Sequence, residues 1–268
     1  MRWLLAALVC FLAAYCVLPQ AASAHPQDEF CAGGSGMDPA LCQELARLDS
    51  ADADPQDRPT ADTGLEDTVS LDRSPLETAA FYVGIGFQHI LPMGLDHILF
   101  VLALFLASTR VRPLLLQISA FTVAHTVTLG LTAAGFIAPP GGIVEPLIAL
   151  TIAWAAFENI LFKEMQPWRP LLAFGFGLIH GMGFAGAFGE LGLPQQIFWP
   201  ALIGFNVGVE VGQLTVIGMA LAVSLLVRGV LARMHRADQY RHVLVWPVSL
   251  LIGIAGLWWA IERAFLQG

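Results

Sequence analysis

From residue 79 onward the chain is a series of long apolar runs separated by short polar interruptions. Six such runs lie near 79–108, 113–137, 143–163, 171–190, 199–228 and 243–266. Each holds enough apolar residues, about 18 or more, to cross the roughly 30 Å of a bilayer core. The pattern predicts an all-α polytopic membrane bundle: six transmembrane helices, domain 79–268. The first run is long, and Pro92 and Gly94 inside it predict a kink or break. An unbroken helix there would set His89 and Asp96, seven apart, on one face.

Residues 1–24 carry Arg2, a short apolar run from Trp3 to Leu18, and Ala22-Ser23-Ala24. That is the layout of a cleaved signal peptide, with His25 as the mature N-terminus. Residues 25–78 are then exported. They hold thirteen Asp and Glu against Arg47, Arg58 and Arg73, a balance of −10, so the rest of a chain of net charge −8 is slightly basic. Residues 49–75 have few large apolar side chains and read as a disordered acidic linker. Cys31 and Cys42 form an even pair in an oxidising compartment, which predicts a disulfide. A periplasmic partner for this acidic segment is left open, as is the oligomeric state.

Composition sharpens the class. The chain is 56% hydrophobic and 13% charged, against about a quarter charged in soluble domains. The lipid bilayer is the expected partner, and no basic patch points to nucleic acid. Charge also sets orientation. Arg110, Arg112, Lys163, Arg169, Arg228, Arg233, Arg236 and Arg241 follow the first, third and fifth runs. The alternate loops, near 139–142 and 190–198, carry no Lys or Arg. Positive loops stay in the cytoplasm, so both termini are expected on the opposite, outer side of the membrane.

Polar residues inside lipid are costly and mark functional sites by default. The first run carries His89, Asp96 and His97, and the second carries His125 between Thr122 and Thr128. The third carries Glu145, beside Pro146 at a helix start, and Glu158-Asn159 near its cytoplasmic end. The fourth sets His180 among glycines. In the fifth, Asn206, Glu210 and Gln213 form one helical stripe, while Gly204, Gly208 and Gly212 form another on the far side, suited to close helix packing. The last run has no ionisable residue before Glu262 and Arg263 and reads as peripheral packing, with Trp258 and Trp259 as interfacial anchors.

The candidate metal ligands are His89, Asp96, His97, His125, Glu158, His180, Asn206 and Glu210. Imidazole with carboxylate suits nickel, cobalt, zinc or iron. No cysteine lies in the six runs, which argues against a copper(I) thiolate site. No P-loop is present, so the chain does not hydrolyse nucleotide itself.

Five blocks carry a resemblance: HILPMGLDHILFVLAL, FTVAHTVTLGL, IALTIAWAAFENI, FGLIHGMGFAGAFGELGLP and FNVGVEVGQL. Together, over 80–268, they resemble the HupE/UreJ family of bacterial membrane proteins. The resemblance implies a nickel or cobalt permease of the cytoplasmic membrane, tied to hydrogenase or urease maturation. The first block is similar to the H-x4-D-H signature of nickel/cobalt transporters, here with six residues between His89 and Asp96. The resemblance therefore assigns ligand roles to His89, Asp96, His97 and His125. It implies a secondary transporter without enzymatic activity and without a resident cofactor, the divalent ion being cargo. Two other readings stay open: an intramembrane metal-dependent hydrolase, in which zinc activates water, and an assembly factor that binds metal without moving it.

Overall fold

The computed structural model describes residues 74–108, 110–183 and 195–266. Among them the regular structure is helical: α1 Pro75–Ile90, α2 Leu95–Ala107, α3 Val111–Ala133, α4 Gly141–Leu161, α5 Arg169–Gly183, α6 Gln195–Arg233 and α7 Trp246–Phe265. A 3₁₀ turn at Ala237–Gln239 and a π turn at Arg241–Val245 lead into α7. Four stretches are long and apolar enough to cross a membrane: Val111–Ala133, Gly141–Leu161, Ile197–Arg233 and Ala237–Phe265. The α1–α2 pair makes five if its two arms count as one span. Six spans were expected from the sequence. The fourth run supplies the difference: α5 has 15 described residues, about 23 Å of helix. The signal peptide at 1–24, the Cys31–Cys42 disulfide, the acidic segment up to residue 73 and the fourth run beyond Gly183 lie outside the described residues.

Local chemistry explains the helix limits. α1 starts at Pro75, four residues before the apolar run, because Ser74 and Glu77 form a capping box. The Ser74 amide donates to Glu77 Oε2 at 2.8 Å, and the Glu77 amide donates to Ser74 Oγ at 3.3 Å. At the other end Pro92 cannot continue the ladder, and α1 and α2 meet at 74°. Gly94, the N-cap of α2, sits where a Cβ would strike the His89 carbonyl. The break therefore folds the end of α1 back on the start of α2.

The helices pack as three close pairs: α1 with α6, α3 with α5, and α4 with α7. Small residues make each pair possible, because they let backbones approach in lipid. Gly204 and Gly208 of α6 lie on the Ala79 and Val83 carbonyls of α1, as the glycine stripe predicted. Gly177 and Gly181 of α5 lie on the Phe121 and His125 carbonyls of α3, and Gly256 of α7 lies on α4 beside Ala149 and Ala153. α2 touches α1, α3, α4, α6 and α7. Leu99, Phe100, Val101, Ala103, Leu104, Phe105 and Leu106 bury it nearly all round, so it forms the centre of the bundle.

The outside is apolar instead of polar. Leu115, Leu116, Val123 and Val127 of α3 are exposed, as are Trp199, Ile203, Val207 and Val211 of α6 at intervals of four. A patch of that size on a water-soluble protein would be an interaction or aggregation site. On a membrane helix it is the lipid-facing stripe. The α1–α6 contact should be sensitive to bulk. Gly208→Val is expected to cost about 1–3 kcal/mol or more, because its Cβ meets backbone of α1. Gly218→Val, where a Cβ has open space, should be near neutral. Thermal unfolding of the two variants in detergent checks the contrast.

Candidate metal site

Four histidines from four helices converge at the break. His89 ends α1, His97 lies in the first turn of α2, and His125 and His180 come from α3 and α5. All four are buried. The His97 ring stands in the middle, with centroids 4.7 Å from His89, 5.3 Å from His180 and 6.0 Å from His125. Phe100, Phe121 and Phe205 wall the cluster: Phe121 lies 5.1 Å from His180 and Phe205 lies 5.5 Å from His89. The close α3–α5 contact sets the level of two of these rings. Gly181, next to His180, rests on the His125 carbonyl.

Hydrogen bonds hold two rings in fixed orientation. His125 Nδ1 faces Asn206 Oδ1 at 3.2 Å, and His180 Nε2 faces Thr151 Oγ1 at 2.9 Å. The opposite nitrogens, His125 Nε2 and His180 Nδ1, are buried without a hydrogen-bond partner, as is His97 Nε2. Buried polar atoms are normally satisfied. Three orphans in one cluster are the kind of exception that an absent ligand explains. As the rings stand, no group of three or more His, Cys, Asp or Glu among the described residues is arranged to hold a metal ion.

The other predicted ligands are drawn elsewhere. Asp96 does not share the cluster with its neighbour His97; it takes both oxygens to Arg263, at 2.7 and 3.2 Å. Glu158 accepts from Trp168 Nε1 at 3.1 Å and pairs with Arg169 at 3.5 Å. Glu210 accepts from Ser119 at 3.2 Å on the outer part of the α3–α6 seam, and Gln213 accepts from Thr122 at 3.1 Å. The Asn206–Glu210–Gln213 stripe thus faces α3, but Asn206 meets an imidazole there and Glu210 meets a hydroxyl. Glu145, read as a helix-start residue, lies exposed in the second turn of α4.

Three residues carry more than the sequence suggested. Thr151 sits within an apolar block of α4, yet it meets His180. Arg169 was counted as a loop charge, yet it is buried against Glu158 and donates to Asn159 Oδ1 at 2.8 Å. Arg263 makes α7 more than peripheral packing, since it reaches the start of α2. A signal existed for both arginines: a lone carboxylate in lipid needs a cation, and both lie among the cations at the run ends.

The fold and the site define a helical membrane protein with a buried imidazole cluster. The model of the HupE / UreJ protein family matches residues 65–263, and the chain belongs to that family. The match begins ahead of α1 and runs through α6 and almost to the end of α7. No curated protein and no solved structure matches the chain.

Proposed function

We propose that the chain is a secondary permease for a divalent transition metal ion, Ni²⁺ or Co²⁺, in the bacterial cytoplasmic membrane. The observation that carries this reading is the group of four buried imidazoles, three of which offer an unpartnered nitrogen. With metal–nitrogen bonds of about 2.0–2.1 Å, two rings sharing one ion at cis positions have centroids roughly 4.5–5 Å apart. The spacings about His97 run from 4.7 to 6.0 Å, so modest ring rotation closes the site on an ion. Rotation of an imidazole about its outer side-chain torsion is soft. A site that is open until the ion arrives suits cargo, which must also leave. The family's association with nickel and cobalt handling supports the choice of ion.

The ion is substrate, not a resident cofactor, and the chain is not an enzyme. Hydrolysis at a zinc ion needs a general base beside the metal. Among the described residues, Asp96 is held by Arg263, Glu158 by Arg169 and Glu210 by Ser119, so none of these three carboxylates is turned to that work. The lysine and arginine pattern supports a bundle with both termini in the periplasm.

The test is flux into proteoliposomes of the purified full chain, with Ni²⁺, Co²⁺, Zn²⁺, Fe²⁺ and Cu⁺ compared at equal concentration. Saturable uptake of Ni²⁺ or Co²⁺ above the other ions is expected. Tight binding with no movement of any ion would replace the permease reading with that of an assembly factor.

A further inference from the structure

Two of the hydrogen bonds in the cluster decide which nitrogens an ion can meet. A hydroxyl has one hydrogen to give. Thr151 Oγ1 lies 2.6 Å from the Ile148 carbonyl, which can only accept, so the threonine hydrogen is committed there. The contact of 2.9 Å between Thr151 Oγ1 and His180 Nε2 then requires the hydrogen to come from the imidazole. A neutral imidazole has one N–H and one lone pair. His180 therefore carries its hydrogen on Nε2 and its lone pair on Nδ1, the nitrogen that is buried without a partner.

The same logic runs in mirror image at His125. Asn206 Nδ2 donates to the Leu202 carbonyl at 2.8 Å, which fixes the amide so that Oδ1 is the atom turned to His125. An amide oxygen only accepts, so His125 Nδ1 donates, and its lone pair sits on Nε2, again buried without a partner. A second proton on either bare nitrogen would be a buried donor with no acceptor, which is costly.

We infer that Thr151 and Asn206 are positioning residues that lock His180 and His125 in opposite tautomers, so that Nδ1 of His180 and Nε2 of His125 are the nitrogens presented to the ion. The inference rests on the reading of the cluster as a metal site. It moves Asn206, on α6, from the set of ligands to the set of residues that orient ligands, and it adds Thr151, which makes α4 the sixth helix contributing to the site. Partners of this kind fix ring orientation and raise ligand basicity, and their loss costs about 10–100-fold in metal affinity. The two backbone carbonyls make the lock directional: each positioning side chain is itself held by its own helix, four residues back for Asn206 and three for Thr151.

The experiment uses the full chain in lipid nanodiscs, with ¹⁵N-labelled histidine and Co²⁺ alone as probe. Difference spectra against His125→Gln and His180→Gln assign the two rings. Wild type is expected to show His180 as the Nε2–H form and His125 as the Nδ1–H form. Thr151→Val, which keeps the shape and removes the hydroxyl, should mix the His180 tautomers and weaken Co²⁺ binding 10–100-fold. Thr151→Ser should restore both. Asn206→Leu should do the same to His125 without touching the His180 signal. The opposite tautomers in wild type, or Co²⁺ affinity in Thr151→Val equal to wild type, would overturn the inference. Co²⁺ binding that follows this pattern without transmembrane flux would uphold the lock and remove the permease reading, so the two fail separately.

Discussion

His97→Ala is expected to abolish Ni²⁺ and Co²⁺ binding and uptake while the protein still reaches the membrane in normal amount. His97 is the hub of the cluster: its ring is the one in contact with those of His89, His125 and His180 together. It projects from the first turn of α2, the helix at the centre of the bundle, immediately after the break that Pro92 and Gly94 create. Loss of a residue that merely orients a ligand costs about 10–100-fold in affinity, so loss of the central ring itself should exceed the upper end of that range. The helix scaffold survives because α2 is held by its apolar face, from Leu99 to Leu106. Glu210→Gln gives the useful contrast. That carboxylate is bonded to Ser119 outside the imidazole group, so binding should persist even where flux slows. Titration of the purified variants with Co²⁺, alongside proteoliposome uptake, checks both. Uptake at the wild-type rate in His97→Ala would remove the cluster from the transport path.

The four histidines were legible in the sequence for a simple reason. A polar side chain in an apolar run has few excuses, and burial in a bundle gives it one. The glycine stripe of α6 was legible too, since spacing alone puts Gly204 and Gly208 on one face, and that face packs on α1. Partner choice was not legible. Asp96 and His97 are adjacent in sequence, yet a helix turns about 100° per residue, so neighbours point apart. One enters the cluster while the other meets Arg263, 167 positions away. No local pattern encodes that pairing; it follows from α7 packing on α4 and reaching the start of α2. The break between α1 and α2 was expected from Pro92 and Gly94, but its 74° angle decides that His89 meets His97 and not Asp96. The start of α1 lies four residues ahead of the apolar run, where the sequence marks it. Ser74-Pro75-Leu76-Glu77 is a capping box with proline at the first helical position, hidden at the edge of an acidic linker. The two tautomers lie beyond sequence altogether, because they depend on which atoms Thr151 and Asn206 have already bonded.

The largest effect on stability is expected from Arg169→Leu. Arg169 and Glu158 form an ion pair at 3.5 Å with side chains only 4% and 3% exposed. The pair is embedded in a network. Arg169 donates to Asn159 Oδ1 at 2.8 Å, and Asn159 Nδ2 in turn donates to the Ala103 carbonyl of α2 at 2.8 Å and to Ser249 of α7 at 3.3 Å. Trp168 Nε1 holds the other Glu158 oxygen, and Arg241 closes the end of α4 through the Asn159 and Phe162 carbonyls. α4, α5, α2 and α7 are therefore tied at one point by two charges. A buried pair of this kind need not be net stabilising, because both ions were taken out of solvent to make it. Removing one partner is a different matter, since it strands the other. Arg169→Leu should cost about 3–5 kcal/mol, enough to lower the unfolding temperature in detergent sharply. The double variant Glu158→Gln, Arg169→Leu leaves no charge behind and keeps a side chain that can still accept from Trp168. It should recover most of the loss. Equal instability of the single and double variants would mean that the arginine acts through its bonds to Asn159 and Ala155 rather than through neutralising Glu158, and the network, not the ion pair, would be what joins these helices.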